Sequence, residues 1–179
     1  ELNVFRFDQQ DANLYGAECN MDIHPHPLDW LHFENTFSFT RARFTQAVDG
    51  SRNVPSIPAA RYIAQLKGNF LPNGRQLRNL YVGLESDYTF RQKNAFFGYN
   101  TETATSGYWL INVNAGTDIM SKGKTLFSIH LSAANLGDVA YQNHLSRLKY
   151  AAVNNVTGRQ GVFNVGRNFG IKINVPLEF

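Results

Sequence analysis

A strict two-residue alternation in the last part of the chain constrains the fold more than any other feature. From 163 to 179 one parity is almost entirely apolar, and the other carries asparagine, glycine, lysine and glutamate. Successive residues of a strand point to opposite faces, so this segment has one apolar face and one polar face. At about 3.4 Å per residue it is far longer than the five or six residues usual in globular strands. The alternation therefore predicts a long, two-faced strand.

The same alternation recurs upstream, for example over 80–90 and 109–115. It predicts an all-β fold with about eight long antiparallel strands, at 2–7, 12–23, 29–44, 60–67, 77–91, 107–120, 124–135 and 162–179. The connections alternate between short ones, at 24–28, 68–76 and 120–123, and long ones, at 45–59, 92–106 and 136–161. Short turns at one end and long loops at the other are typical of up-and-down outer-membrane barrels, whose short turns are periplasmic.

Composition excludes several classes of protein. The chain has 179 residues, with 17 Lys and Arg against 14 Asp and Glu, and the basic residues are scattered, so we expect no nucleic-acid partner. Cys19 is the single cysteine, which excludes a disulfide within the chain. No stretch approaches the roughly 18 apolar residues of a membrane helix, and the first residues show no export signal. Because the chain begins in a predicted strand, we expect a mature or truncated part of a longer protein.

The two strand faces fit two environments. In a soluble barrel or sandwich the apolar face points inward, whereas in an outer-membrane barrel it meets lipid and the polar face lines the lumen. The polar parity here is rich in Asn, Gly, Ser and Thr and poor in Lys, which favours a lumen. We therefore predict that Asn164, Asn168, Lys172 and Asn174 face the lumen. We predict that Phe169, Ile171, Ile173 and Val175 face lipid.

Three arginines lie near the long-loop ends of the predicted strands. Arg41 and Arg167 share the apolar parity of their strands, and Arg61 lies at a similar distance from the long-loop end of its strand. Arginine on the lipid face costs about 2–4 kcal/mol at the bilayer midplane but little at the interface. The placement predicts contacts between these three residues and lipopolysaccharide phosphates, and chance placement near strand ends is the alternative.

Several short motifs occur in a fixed order along the chain: Gly16-Ala17-Glu18, Glu34 to Ser38, Val54 to Arg61, Asn100 to Thr103 with Ser106 to Tyr108, Ala133 to Leu136 with Asp138 and Tyr141, and the closing Asn174 to Phe179. In this order and spacing they resemble the C-terminal barrel of TonB-dependent outer-membrane receptors. The segment His144 to Tyr150, with Gly158-Arg159 and Gly166 to Phe169, is similar to iron-complex receptors of Bacteroidetes type. The resemblance covers nearly the whole chain.

The resemblance implies a location in the bacterial outer membrane and TonB-dependent uptake of a ferric siderophore, haem or another scarce nutrient. Members of the family enclose an N-terminal plug in a barrel of about 22 strands. Residues 1–179 would then be one C-terminal segment of a larger transmembrane barrel, without the plug and without a cofactor. The implied partners are lipid, lipopolysaccharide, TonB, the nutrient and the barrel-assembly machinery. For that machinery Phe179 would be the signal, or else it anchors the periplasmic aromatic girdle.

A second hypothesis comes from another class of protein. Eight strands are enough for a self-contained barrel that binds a ligand, either lipocalin-like or a small outer-membrane barrel.

The long loops contain the candidate ligand-binding residues. The loop after the seventh predicted strand is basic and aromatic, as a receptor for an anionic ligand requires. Its candidates are His144, Arg147, Lys149, Tyr150 and Arg159, and the preceding long loop adds Phe96, Phe97 and Tyr99. The alternative is a solvated loop helix, capped by Asp138 and carrying Tyr141, Leu145 and Leu148 on one face.

Two further clusters suggest chemistry only weakly. His24 and His26 flank Pro25 and have the spacing of a shared metal site, but a turn explains them better and we predict no metal. Ser128, His130 and Ser132 lie at two-residue spacing on one strand without a nucleophile elbow or an assigned acid. We therefore predict no catalytic residues and no enzyme.

Overall fold

Eight β-strands make up the regular structure of the protein in a computed structural model that describes residues 9–177. They are β1 (Ala12–Ile23), β2 (Leu31–Val48), β3 (Ser51–Asn53), β4 (Arg61–Phe70), β5 (Leu77–Thr89), β6 (Tyr108–Ser121), β7 (Lys124–Ala134) and β8 (Asn168–Asn174). Two 3-10 turns, Gly98–Asn100 and Arg147–Tyr150, lie in the connections. The predicted all-β fold is confirmed.

The strands form one antiparallel meander. Their order in the sheet is β1, β2, β4, β5, β6, β7 and β8, and the short β3 pairs with β2. Within residues 9–177, β1 and β8 each pair with one neighbour, so these strands form an open sheet. The described residues therefore do not close into the eight-stranded barrel of the second hypothesis.

Apart from shifts of up to four residues at strand ends, the strands differ from the predicted ones at β3 and β8. The predicted strand at 2–7 lies outside the described residues. β3 was missed, although Asp49 and Gly50, with φ of 44° and 75°, form the tight turn that an Asp-Gly pair signals. β8 is shorter than the predicted 162–179, because Val162 and Asn164 donate their N–H groups to Leu148 and Tyr141 in the preceding loop.

The predicted loop helix capped by Asp138 is wrong. Asp138 has a φ of 51°, a left-handed conformation that a helix N-cap does not adopt. Its carboxylate accepts the N–H of Arg167 at 2.9 Å instead. Tyr141 packs on Tyr108 with ring centroids 4.4 Å apart, and the helical segment among the described residues of this loop is the short 3-10 turn Arg147–Tyr150.

The exposure of the two sheet faces is the reverse of that in a soluble sheet. In β5 the polar-parity positions Tyr81, Gly83, Glu85, Asp87 and Thr89 are all buried or half-buried. Their neighbours on the apolar face, Val82, Leu84 and Tyr88, are exposed. On β5 the polar face is therefore the more enclosed one. On the edge strands β1 and β8 nearly all residues of both faces are exposed, with Ile171 73% exposed.

The protein has little hydrophobic core. Among the described residues the buried apolar side chains are Ala42, Ala95, Phe96, Leu110 and Met120, and no large side chain is completely buried. Strand pairing and polar contacts therefore provide most of the internal contacts. None of the helical segments in the described part of the chain has the length and apolar character needed to cross a membrane.

Gly116 allows a contact across the polar face. The register places Gly116 between Tyr81 of β5 and His130 of β7. Tyr81 Oη reaches over the glycine to within 3.1 Å of His130 Nδ1. A Cβ at position 116 would lie 2.6 Å from the Tyr81 ring and 2.7 Å from His130. Only glycine therefore permits this contact between strands that are not neighbours.

Candidate functional site

Three long connections meet at one end of the sheet and form the candidate site. They are 54–60 before β4, 90–107 between β5 and β6, and 135–167 between β7 and β8. Antiparallel alternation places them all at the same end, and the shorter turns at 24–30, 71–76 and 122–123 lie at the other end. We call these three segments the loop cluster.

The Glu102 carboxylate joins two of the loops. Its Oε1 accepts the N–H of Ser56 at 2.6 Å, and its Oε2 accepts the N–H of Phe96 at 2.9 Å. Both bonds are to an ionised acceptor, which makes them stronger than bonds between neutral groups. Glu102 therefore holds 54–60 against 90–107.

Lys149 joins the third loop to the second. It is 6% exposed, and its Nζ donates to the carbonyl oxygen of Thr103 at 2.9 Å and to Thr105 Oγ1 at 2.7 Å. The Thr105 hydroxyl in turn lies 2.8 Å from His144 Nδ1. Lys149 has donors only and its Nζ also lies 3.4 Å from His144 Nδ1, so Nδ1 is an acceptor, and the Thr105 hydroxyl accepts from Lys149 and donates to Nδ1. The chain of bonds from Lys149 through Thr105 to His144 thus fixes 135–167 to 90–107.

His144 is held in its neutral form. Burial lowers the pKa of His144, the positive charge of Lys149 lowers that pKa further, and Glu102 opposes both effects. Since Nδ1 accepts from Thr105, the proton of the neutral ring lies on Nε2, which points toward Glu102 Oε2 at 3.9 Å. The buried junction therefore contains one cation, one carboxylate and one neutral imidazole.

Two pockets open beside this junction. One of about 550 Å³ is lined by Pro55, Asn100, Glu102, Leu145 and Arg147, together with Tyr150. A second of about 430 Å³ lies between the β5–β6 and β7–β8 loops, with Tyr141, Lys149 and Phe163 in its wall. Both are large enough for a small ligand or part of a larger one.

The structure divides the predicted ligand residues into two groups. Phe97, Tyr99, Arg147, Tyr150 and Arg159 are exposed. The guanidinium carbon of Arg159 lies 5.3 Å from the Phe163 ring centroid.

The second group is inside the loop cluster. Phe96, His144 and Lys149 are buried, with Phe96 packed edge-on against Phe44 at 6.0 Å. His144 and Lys149 contact Thr105 of another loop, whereas Phe96 packs on Phe44 of β2, so none of the three is open to solvent.

The three arginines do not share one face. Arg41 lies on the apolar face and donates to Asn94 Oδ1 at 3.3 Å, and Arg167 is exposed just before β8. Arg61 pairs with Thr89 and Ser38 on the polar face, and its guanidinium binds Asp87 through Nε at 2.8 Å and Nη2 at 2.6 Å. The predicted lipopolysaccharide-facing placement of Arg61 is therefore wrong, because Asp87, two residues along β5 from the ladder partner Thr89, supplies a carboxylate on the polar face.

The serines and histidine of β7 contact separate partners. Ser128 donates to Asp118 Oδ1 at 2.6 Å, whereas His130 Nδ1 contacts Tyr81. Ser132 lies opposite Gly170. These contacts belong to a polar network between strands.

The histidines of the first turn are arranged differently from the pairing considered above. His24 Nε2 lies 2.8 Å from Asp22 Oδ2, and its ring packs edge-on against His32 with centroids 4.5 Å apart. His26 lies instead beside Asp29, at 3.5 Å. His24 and His26 therefore have separate partners.

Sequence reasoning did not identify Glu102, Thr105 or Asp87 as important contacts. The contact between Asp87 and Arg61 could be inferred once the strand pairing is known, because Asp87 lies on the same face as Arg61, two residues from its ladder partner Thr89. The roles of Glu102 and Thr105 depend on contacts between loops far apart in sequence, and no local pattern signals them. Phe179 lies outside the described residues.

Comparison with known proteins finds a likeness among solved structures only. No protein-family model matches the chain, and no curated protein matches it. Among solved structures the chain is similar to the copper transporter OprC, with a TM-score of 0.73 and 15% sequence identity. The match covers 93% of this chain and 24% of that chain, so the chain spans about a quarter of the length of the transporter that it resembles. The likeness shows that the protein has the fold of one part of a larger transporter structure.

Proposed function

We propose that the chain is part of the barrel of a TonB-dependent outer-membrane receptor that takes up an iron complex or a similarly scarce nutrient. The observation that carries the proposal is the reversed exposure of the sheet faces. Val82, Leu84 and Ile171 project outward, while Glu85 and Asp87 lie on the enclosed side. A strand that presents apolar side chains outward and polar ones inward is typical of a transmembrane barrel.

The loop cluster supports a receptor rather than a passive barrel. Its buried hydrogen bonds hold three loops together, and two pockets open at their junction. Arg147 and Arg159 are exposed on these loops, where they would attract an anionic complex. We propose that Phe97, Tyr99, Arg147, Tyr150 and Arg159 contact the ligand. In this proposal Phe96, His144 and Lys149 position the loops that carry those residues.

Two observations support a metal-containing cargo. The segment 144–150 resembles iron-complex receptors, and the structural neighbour OprC is a copper transporter. An iron complex is the cargo that we propose, and copper is the first alternative to test. TonB, the barrel-assembly machinery and outer-membrane lipid are the partners that this function requires, and in this proposal Arg41 and Arg167 contact lipopolysaccharide.

Membrane topology is the first test. Spin labels at 171 and 172 in the full-length protein, reconstituted in bilayers, should differ in accessibility. The label at 171 should be reached by an apolar relaxer and the label at 172 by an aqueous one, because the two side chains lie on opposite faces. Equal accessibility at both positions would contradict a membrane barrel.

Ligand binding is the second test. Reversing the charge of Arg147 and Arg159 to Glu in the full-length receptor should weaken binding of an anionic ligand by about three- to fivefold per residue. Ferric hydroxamate and catecholate siderophores, haem and Cu²⁺ are the probes. Lys122→Glu, in the turn at the opposite end of the sheet, is the matched control and should leave binding unchanged. Normal surface abundance with unchanged affinity for every probe that the wild type binds would show that these arginines do not contact ligand.

A further inference from the structure

The first hairpin carries a cluster of imidazole and carboxylate groups at the short-turn end, away from the loop cluster. Asp22 lies on the polar face of β1, and His24 follows directly after the end of that strand. The ladder pairs Asp22 with Glu34 and Ile23 with Phe33, so continuing it by one step places His24 opposite His32. One potential ligand atom from each of Asp22, His24 and His32 lies within 4.8 Å of the other two.

We propose that Asp22, His24 and His32 form a binding site for a divalent transition-metal ion. Two imidazole nitrogens and one carboxylate oxygen are ligands that suit Zn²⁺, Cu²⁺ and Ni²⁺. With metal–ligand bonds of about 2.0–2.2 Å, neighbouring ligand atoms in a coordination shell lie roughly 3 Å apart. His24 Nε2 and Asp22 Oδ2 are already 2.8 Å apart, and an ion would take the place of the shared proton.

The hairpin backbone fixes the positions of the three residues. Twelve residue pairs join β1 to β2, from Ala12–Phe44 to Ile23–Phe33. The turn is closed by bonds from the Leu28 N–H to Pro25 O at 2.6 Å and from the Leu31 N–H to Leu28 O at 2.8 Å. Rotation of the side chains is therefore sufficient to bring the three ligand atoms around an ion.

The surroundings are compatible with a cation. Glu34 lies opposite Asp22 on the same face and adds negative charge. Lys67 pairs with His32 in the ladder, but its Nζ lies 5.3 Å from the centroid of the Tyr81 ring. The site does not depend on the proposed uptake function, because its three ligands come from one hairpin.

Cu²⁺ titration of the folded full-length protein tests the site. Electron paramagnetic resonance should show one Cu²⁺ coordinated by two imidazole nitrogens. His24→Gln and His32→Gln should each weaken this binding at least tenfold, or roughly 1.4 kcal/mol. His26→Gln is the matched control, since His26 is in the same turn with its side chain 88% exposed, and it should retain wild-type affinity.

A measurement on the wild-type protein keeps the test valid if a variant fails to fold. Zn²⁺ should protect His24 and His32, but not His26, from modification by diethyl pyrocarbonate, as read by mass spectrometry. The proposal is wrong if Zn²⁺ protects neither residue. It is also wrong if folded His24→Gln and His32→Gln proteins bind Cu²⁺ as the wild type does, or if His26→Gln loses as much affinity as they do.

Discussion

The strands and the loop cluster of this protein are organised on different principles. Each long strand alternates apolar and polar residues, and its position follows from a repeated ladder of backbone hydrogen bonds. The loop cluster has no such repeat and depends on a few polar side chains, chiefly Glu102 and Lys149. The strands therefore tolerate change as long as the parity is kept, whereas the loops depend on individual residues.

The two regions also differ in which kind of side chain is buried. On the strands the apolar side chains are the exposed ones, and Ile171 is an example. In the loop cluster the ionisable side chains of His144 and Lys149 are buried, and each forms a hydrogen bond with Thr105 of another loop. A contrast of this kind is expected where one region faces lipid and the other must hold its shape in water.

The largest effect is expected from placing a charge on the apolar face. Ile171→Arg should destabilise the barrel by about 2–4 kcal/mol, because an arginine near the bilayer midplane loses its hydration. Lys172→Arg, one position along on the polar face, is the control and should be close to neutral. An unfolding titration of the full-length protein in bilayers measures both, and a neutral Ile171→Arg would contradict the assignment of the lipid face.

The second-largest effect is expected from a substitution that loosens the loop cluster but not the strands. Glu102→Ala removes two charge-assisted bonds to backbone N–H groups and should cost about 2–3 kcal/mol of local stability. Hydrogen exchange should increase at Ser56 and Phe96 and remain unchanged in β5 and β6. Glu102→Gln, which keeps one acceptor oxygen, should show a smaller increase. If exchange rises equally in the strands, the loop cluster is not a separate unit.

A smaller effect is expected at Gly116. Gly116→Val should separate Tyr81 from His130 and cost about 1–3 kcal/mol, because the added side chain overlaps both of them. Tyr81→Phe is the control for the lost contact alone and should cost about 1 kcal/mol. Equal stability of Gly116→Val and the wild type, measured by unfolding in bilayers, would show that the polar face has room at this position.

The smallest effect is a pH dependence of the loop cluster. Because the folded-state pKa of His144 is lowered, stability is complete above the ordinary histidine pKa of about 6.5 and is lost as pH falls from there toward the lowered value. The loss cannot exceed about 1.4 kcal/mol per pH unit for one proton. Lys149, Thr105 and Glu102 surround the ring, and protonation would place a second positive charge beside Lys149.

Hydrogen exchange of the loop amides, corrected for the intrinsic rate at each pH, measures this effect. Protection of Phe96 and Thr105 should decrease between pH 7 and pH 5 in the wild type. A His144→Gln protein should lose less protection over that interval. Identical pH profiles for the two proteins would show that His144 does not titrate within the folded cluster.

The strands were predictable from sequence because their pattern is local and repeated. Six predicted strands, from 12–23 to 124–135, agree with the observed strands to within a few residues at each end. The wrong placement of Arg61 arose because its height along the barrel was considered without the register that pairs it with Thr89. The start of β8 was predicted too early, since the alternation continues through 163–167 although this segment bonds to the loop.

The loop cluster was predictable only in part. Its basic and aromatic character was visible in the sequence. The sequence did not show that Arg147 is exposed whereas Lys149, two residues later, is buried. The 3-10 turn at Arg147–Tyr150 produces this difference, and a helical period in 141–148 suggested another arrangement. Contacts between distant loops decide which polar residues are structural.

The open sheet has a consequence for how the protein reaches its final state. Along one side of β1 (Ala12–Ile23) and one side of β8 (Asn168–Asn174), pairing among the described residues leaves a row of backbone amides and carbonyls for another strand to join. Such free strand edges can pair with the correct neighbouring strand or with a strand of another copy of the protein, through the same backbone hydrogen bonds. In the proposed barrel these edges must pair with their correct neighbours, so agents that delay closure should increase aggregation before they change the stability of the closed barrel.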